Sequence, residues 1–206
     1  MEHKKKVLVI VAHPDDETIW MGGMLIRNNL LNERWDTTII TLCRRDDSDR
    51  APKFKKVCDI LHSKSCMSDL EDDDLNPATH EEIKSRIMKF ADNKYDIIFT
   101  HGKHGEYGHQ RHVEVHDAVK RMIDEKNIIA KEVFFFSYTV DEKNFSFDSS
   151  IASATKIADK FIKLNTIELL KKKDLIQNVY GFKKNSFEER CCKNLESFNK
   201  KEKTTI

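Results

Sequence analysis

The sequence is poor in the features that mark several common classes of protein. It contains three prolines and six glycines among 206 residues, and no Gly/Pro/Ser-rich linker divides it. No apolar run approaches the roughly 18 residues of a membrane-spanning helix, so we expect no transmembrane segment. Because 36 basic residues face 35 acidic ones, the net charge is close to zero. That balance argues against a nucleic-acid partner, which normally requires a basic surface.

The cysteines lack any spacing that indicates a cysteine-ligated metal site or a disulfide framework. The five cysteines are odd in number and lack a CxxC pair, and no secretory context accompanies them. We therefore expect reduced thiols and a cytoplasmic protein.

The length and the 39% hydrophobic content suit one globular domain with a substantial core. We expect this single domain to span residues 1–206. Residues after about 186 have a polar pattern that predicts a peripheral tail, helical at first and then frayed.

Strand-like apolar runs alternate with helix-length amphipathic segments along the chain. The predicted strands cover residues 7–11, 37–42, 65–67, 96–101, 133–138 and 161–164. The predicted helices cover residues 16–32, 52–62, 79–90, 109–126 and 166–180. Strands joined by helical crossovers indicate a parallel sheet covered on both sides. We predict an α/β fold, a Rossmann-like three-layer sandwich with a mostly parallel sheet.

The first of two dense polar motifs directly follows the first predicted strand, where sheets of this kind bind ligands. Residues 12–17 read AHPDDE and place a histidine and three carboxylates together, a density of charge that requires a counter-ion. His13 and Asp16 lie three residues apart across a turn that Pro14 restricts, so both can face one cation. Asp15 can then point into the adjoining cavity.

The second motif, HGKHGEYGHQRH at residues 101–112, follows another predicted strand. His109 and His112, with His116 further along, share one face of the next helix. The three glycines of the motif allow the backbone to bend sharply and to approach a ligand. Two histidines and one carboxylate from separate loops leave coordination positions open, which is typical of a catalytic metal.

Each motif alone also has an ordinary structural interpretation. Acidic residues suit the positively polarised start of a helix, and two histidines three residues apart on a helix occur by chance. His101 and His104 fit packing or ligand-orienting roles, and His116 fits a hydrogen bond within the core. The occurrence of both motifs after strands that can be neighbours favours the metal site.

Two strings carry a resemblance to a known family: HPDDE at residues 13–17, followed by Gly22 and Gly23, and GEYGHQRH at residues 105–112. The sequence resembles the PIG-L/LmbE-like zinc-dependent N-acetylglucosamine de-N-acetylases. The resemblance extends over most of the chain but not beyond about residue 186. It implies three ligands for zinc, or for another divalent metal: His13, Asp16 and His112.

The resemblance also implies roles for residues around the metal. Asp15 is the expected general base, and His109, in its cationic form, the expected acid or oxyanion-stabilising group. Arg50 is an expected substrate-binding residue. Glu17 and Glu106 are two unranked candidates for orienting the ligand imidazoles.

The predicted reaction is hydrolysis of the N-acetyl group of an N-acetylglucosamine-type sugar or its conjugate, which releases acetate. The predicted partner is this small N-acetylated sugar conjugate, and assembly into a homo-oligomer is compatible with the sequence. Residues 43–47, CRRDD, depart from the glycine-rich stretch common in relatives. Their charges indicate a polar or anionic substituent near the sugar, unless Arg44 and Arg45 are ordinary surface residues.

Two alternatives stay open at this point. Two histidines and one carboxylate also describe non-haem iron(II) enzymes, although the neighbouring Asp15 suits hydrolysis better. The other alternative is a non-catalytic sugar- or nucleotide-binding module on the same fold. No GxGxxG phosphate cradle follows the first strand, which counts against a dinucleotide.

Overall fold

A computed structural model of the chain describes residues 3–74, 76–140 and 151–202. Its strands are β1 (Lys5–Val11), β2 (Trp35–Cys43), β3 (Lys64–Leu70), β4 (Lys94–Thr100), β5 (Ile129–Phe136), β6 (Tyr138–Thr139), β7 (Ser153–Ala154), β8 (Lys160–Lys163) and β9 (Leu195–Lys200). Its helices are α1 (Asp16–Leu25), α2 (Arg50–Ile60), α3 (His80–Met88), α4 (Gly105–Gly108), α5 (Gln110–Asp124), α6 (Thr166–Asp174) and α7 (Phe187–Cys191). Two π-helical segments, Ile26–Leu31 and Leu175–Val179, continue α1 and α6.

Seven strands form the central sheet in the order β3-β2-β1-β4-β5-β9-β8. Strands β1 to β5 pair in parallel, whereas β9 runs antiparallel between β5 and β8. Successive residues of β1 face opposite sides of the sheet, so Val7 and Val9 join one buried apolar cluster and Leu8 and Ile10 the other. The predicted α/β fold with a mostly parallel sheet is confirmed.

The prediction of a frayed tail is wrong, because residues 195–200 form β9 inside the sheet. A polar pattern concealed this strand, since Glu196 is fully buried in it. The Glu196 carboxylate lies 2.7 Å from the Lys172 ammonium and accepts hydrogen bonds from the backbone N–H groups of Gly23 and Met24. These partners lie far away in the chain, and they offset the cost of burying the charge.

Helix α1 packs very closely against the sheet at its glycine pair. A Cβ atom at Gly23 would overlap the side chain of Leu164, directly after β8, so the packing requires glycine. Helix α1 is also kinked at Met21, whose φ of −144° is not helical. Within the described residues, no helix has the length and apolar character to cross a bilayer.

Candidate active site

The two polar motifs meet at the carboxyl ends of β1 and β4. These strands are parallel neighbours, with Ile10 opposite Thr100. The chain runs from β1 through β2 to β3 on one side and continues from β4 to β5 on the other, so ligands are expected at the β1–β4 boundary. A cavity of about 500 Å³ opens there. Five of the predicted site residues line it: His13, Asp15, Asp16, Arg50 and His109.

The turn after β1 holds Asp15 in an unusual backbone conformation. Asp15 has φ 117°, a left-handed value that is costly for a residue with a Cβ atom. The carboxylate of Glu17 accepts a hydrogen bond from the Asp15 N–H at 3.1 Å and is itself held by the hydroxyls of Thr18 and Tyr180. Burial raises the pKa of Glu17 to about 7. Glu17 therefore supports the turn that presents Asp15 to the cavity.

Three side-chain atoms from the two motifs converge beside this turn. His13 Nδ1 lies 3.1 Å from His112 Nε2 and 3.3 Å from Asp16 Oδ2, and His112 Nε2 lies 3.4 Å from the same oxygen. Asp16 is fixed further by the Trp20 indole N–H, which donates to Oδ1 at 2.9 Å. The three residues predicted as metal ligands are thus brought together, with His112 fully buried behind the cavity wall.

The outer nitrogen of each histidine is bonded to a carboxylate, which fixes the tautomers. His13 Nε2 lies 2.9 Å from Asp72 Oδ1, and His112 Nδ1 lies 2.6 Å from Glu106 Oε2. A carboxylate accepts hydrogen bonds, so these nitrogens carry the protons. In the neutral rings, which a metal ion requires, the inner nitrogens, His13 Nδ1 and His112 Nε2, consequently present lone pairs to each other and to Asp16.

Converging lone pairs repel one another unless a cation lies between them. Ligand atoms at 2.0–2.2 Å from a tetrahedral zinc are about 3.3–3.6 Å apart, close to the separations observed here. Imidazole nitrogens with one carboxylate oxygen are also a donor set that zinc and other divalent transition metals accept. His13, Asp16 and His112 therefore fit a divalent metal ion, and the two outer carboxylates would orient the imidazoles.

Asp15 stands next to this donor set without joining it. Its Oδ2 accepts a hydrogen bond from Arg50 at 3.1 Å, whereas Oδ1 has no hydrogen-bond partner among the residues that the structure describes. Burial, reinforced by the Asp16 carboxylate, raises the pKa of Asp15 against the effect of Arg50. The Arg50 guanidinium also lies 4.4 Å from the ring centroid of Phe182, so its position is set from two sides.

His109 lies in the cavity wall beside both ligand histidines, with ring centroids 4.7 Å from His13 and 4.8 Å from His112. Burial, together with those two imidazoles, lowers the pKa of His109 to about 4. Its Nδ1 accepts the backbone N–H of Arg111, so in the neutral ring the proton is on Nε2. The geometry therefore favours a neutral hydrogen-bond donor at this position, in contrast to the cation expected from the sequence.

The structure distinguishes the two glutamates that the sequence left unranked. Glu106 bridges His112 and His101, with Oε2 within 2.7 Å of both Nδ1 atoms, whereas Glu17 contacts neither ligand histidine. His101 Nε2 lies 3.5 Å from Asp16 Oδ2 but accepts the backbone N–H of residue 12, so its lone pair is engaged. His101 therefore helps to position Glu106 and the backbone of residue 12. His116 donates a hydrogen bond to the carbonyl of His101, and the side chain of His104 is exposed.

The family model of PIG-L, described as GlcNAc-PI de-N-acetylase, matches residues 8–123, more than half of the chain. The chain belongs to the PIG-L family. Both polar motifs fall within the matched PIG-L region, whereas α6, α7 and β9 follow it.

Other relatives of this PIG-L chain are more distant. An uncharacterised protein of Acanthamoeba polyphaga mimivirus, L374, is 24% identical over 180 residues, covering 80% of this chain and 76% of that protein. The N,N'-diacetylchitobiose deacetylase of Pyrococcus horikoshii superposes with a TM-score of 0.63 at 15% identity, over 95% of this chain and 83% of that one. GalB of Pseudomonas putida, a 4-carboxy-2-hydroxymuconate hydratase, gives 0.64 at 12% identity, over 98% of both chains. At these identities the structural likeness concerns the fold alone.

Several residues around the PIG-L motifs were missed by the sequence analysis. Asp72 is the most direct, because its carboxylate joins His13 to Arg44, which lies 2.9 Å from Oδ2. The available signal was its place in an acidic loop after β3, another parallel strand with its carboxyl end at this edge. Phe187 and Glu188, which line the cavity from α7, lie in the segment that was predicted to be peripheral.

Proposed function

We propose that this PIG-L family member is a metal-dependent hydrolase that removes the N-acetyl group from an N-acetylglucosamine-type sugar or its conjugate. The observation that carries the proposal is the convergence of three lone-pair donors, His13, Asp16 and His112, beside the unbonded oxygen of Asp15. Family membership and the likeness to a sugar deacetylase support the same reaction class.

A divalent cation bound by the three ligands would lower the pKa of a bound water to about 7 and polarise the acetamide carbonyl. Asp15 Oδ1 accepts a proton from the attacking water as the water oxygen bonds to the carbonyl carbon. The carbon–nitrogen bond then breaks, and the nitrogen takes the proton that Asp15 holds. The products are the free amino sugar and acetic acid, which ionises to acetate in water.

Two further side chains assist without changing the proton balance. His109 Nε2 donates a hydrogen bond to the oxygen that becomes negative as the water adds, which stabilises that charge. Arg50 keeps Asp15 oriented through Oδ2, so that Oδ1 faces the water, and lies where it can also bind the sugar. The buried Glu17 holds the backbone of the turn during these steps.

The test is acetate release from N-acetylglucosamine and N,N'-diacetylchitobiose by protein stripped of metal with a chelator and then reloaded. We expect release only after reloading with Zn²⁺ or another divalent ion, at a stoichiometry of about one ion per chain. The His112→Ala variant should lose both the bound ion and the activity.

Other outcomes would contradict the proposal. Acetate release that persists in the metal-free protein would exclude the proposed mechanism. Binding of iron with consumption of oxygen, and no acetate release, would favour the non-haem iron alternative, which uses the same type of donor set.

A further inference from the structure

The cavity at the candidate active site is lined by more acidic than basic side chains. Its described lining contains five carboxylates, Asp15, Asp16, Asp47, Asp72 and Glu188, and two guanidinium groups, Arg44 and Arg50. A divalent cation at His13, Asp16 and His112 would offset part of this excess and leave the cavity negative. A phosphate group on the substrate would therefore be repelled.

Both arginines of the cavity are already paired with carboxylates. Arg44 lies 2.9 Å from Asp72 and 3.3 Å from Asp73, and Arg50 lies 3.1 Å from Asp15. Arg50 donates to Asp15 through Nη1 alone, and Arg44 donates to Asp72 through Nε and Nη2, so each guanidinium keeps further donors. The carboxylate beside each one nevertheless offsets its positive charge toward a phosphate. The charged arm after β2 therefore presents no uncompensated positive charge to an anion, although its arginines suggested an anion site from the sequence.

A second cavity of about 380 Å³ continues the first and shares Arg44, Asp47 and Asp72 with it. Six carboxylates line it: Asp46, Asp47, Asp69, Glu71, Asp72 and Asp73. The guanidinium of Arg45, its second basic group, is paired with Asp46 and Asp69. Arg86 and Arg111 neutralise two carboxylates from outside, which still leaves more carboxylates than guanidinium groups around this cavity. A substrate that extends into this second cavity also encounters an excess of negative charge.

Glu188 is the lining carboxylate that is free to bind a substrate. It lies on α7, is partly exposed, and forms no hydrogen bond or ion pair with the described part of the chain. Its neighbour Glu189 is, by contrast, buried and bonded to Lys173 at 2.7 Å. Glu189 therefore stabilises the fold through its ion pair, whereas Glu188 remains available to accept hydrogen bonds from hydroxyl or ammonium groups.

We propose that the substrate is an uncharged or cationic N-acetylglucosamine glycoside whose hydroxyl or ammonium groups bind Glu188, and that phosphate-bearing conjugates are disfavoured. This inference rests on the proposed deacetylase function and specifies its substrate class. The acetamide occupies the metal end of the cavity, and the remainder of the glycoside reaches the wall formed by α7.

The test compares two substrates of similar size with the metal-loaded full chain: methyl N-acetylglucosaminide and N-acetylglucosamine 1-phosphate. We expect kcat/KM to be higher for the methyl glycoside by about tenfold, which corresponds to about 1.4 kcal/mol. The preference should narrow at high salt, because salt screens charges in an open cavity.

Substitution of Glu188 assigns the effect to this side chain. Glu188→Lys should reduce the ratio of kcat/KM for the methyl glycoside to that for the phosphate by about tenfold. Glu188→Gln should reduce this ratio less and should raise KM for the methyl glycoside. Glu81→Gln, on α3 outside both cavities, is the matched control and should change neither value. Thermal unfolding of each variant shows whether the fold is retained.

Equilibrium binding separates this inference from the proposed reaction. Calorimetry with the metal-loaded wild-type chain compares methyl glucoside with glucose 1-phosphate. Both lack the acetamide, so they bind without turnover while the pairing of Arg50 with Asp15 is kept. If no substrate releases acetate but the methyl glycoside binds more tightly, the proposed function fails and the charge preference is retained. Equal or tighter binding of the phosphate, or a preference that both Glu188 variants leave unchanged, would overturn the inference.

Discussion

Replacing Glu106 by glutamine should expose how the fold orients a metal-binding histidine. Glu106 is buried and its carboxylate accepts three hydrogen bonds: from Gly102 N at 2.7 Å, from His101 Nδ1 at 2.7 Å and from His112 Nδ1 at 2.6 Å. Burial opposes ionisation, but the two imidazoles lower the pKa of Glu106 to about 2. The side chain is therefore a carboxylate at neutral pH.

A glutamine of the same shape can accept with only one of its two terminal atoms. If the amide oxygen keeps the bond from Gly102, the amide nitrogen faces two imidazole N–H groups. His112 can relieve this conflict by moving its proton to Nε2, but that proton then occupies the position of the lone pair facing His13 and Asp16. If His101 moves its proton instead, its Nε2–H faces the backbone N–H of residue 12.

Every arrangement of Glu106→Gln thus leaves a buried donor unpaired or removes a metal-binding lone pair. An unpaired buried donor costs about 1–3 kcal/mol, which should appear as a lower free energy of unfolding in urea. Loss of a partner that orients a metal ligand weakens metal affinity by about 10- to 100-fold. We expect both effects, with the dissociation constant of Zn²⁺ measured by competition with a chromophoric chelator.

The matched control is Glu114→Gln on α5. Glu114 forms an ion pair with Arg111 at 2.5 Å and has no contact with the ligand histidines. This variant should lose stability while retaining its affinity for Zn²⁺, which separates general destabilisation from the effect on the ligand. A dissociation constant for Glu106→Gln within about twofold of the wild-type value would refute the orienting role assigned to Glu106.

Three further predictions concern the proposed base and the ion pairs that support the fold. Asp15→Asn should lower kcat by about 10²- to 10⁴-fold with Zn²⁺ affinity retained, and full activity would exclude Asp15 as the base. Lys172→Met leaves the Glu196 carboxylate buried without its counter-ion and should lower the free energy of unfolding by about 3–5 kcal/mol; a loss below about 1 kcal/mol would contradict this. The hydrogen bond from Arg27 lowers the pKa of Glu168 below 4.5, so its stabilisation is complete above that pH and is lost as the pH falls through the folded value. The difference in free energy of unfolding between wild type and Glu168→Gln should therefore shrink in acid. If urea titrations give the same difference at every pH, the prediction is wrong.

Much of the fold was predictable because its information is local. Four of the five parallel strands contain apolar runs, as expected of strands buried on both faces, whereas the edge strand β3, KSCMSDL, is mostly polar and was predicted only at residues 65–67. The helices between them showed amphipathic spacing, and the N-cap of α3 is formed by Thr79, which accepts from Glu82 N as expected of a capping residue. Strand β9 was not predictable in this way, because Glu196 is tolerated in the core only through distant partners.

In the candidate site, too, the features that depend on local sequence were predictable and those that depend on distant partners were not. The two motifs, their order and their positions after strands come from the sequence, and they suffice to bring together His13, Asp16 and His112 once β1 and β4 are neighbours. The sequence does not show that Asp72 bonds to His13, because residues from a third strand end reach the site only through the sheet order.

The sequence by itself determined the α/β class, the two motifs and the three residues, His13, Asp16 and His112, that converge in the site. Those properties depend on residue type and on spacing within about one turn or strand. Tertiary structure decided that Glu106 rather than Glu17 orients His112, and that the environment of His109 favours the neutral ring. It also decided that Glu188 lines the cavity. These properties depend on burial and on which charges face one another across the fold, and packing alone sets both.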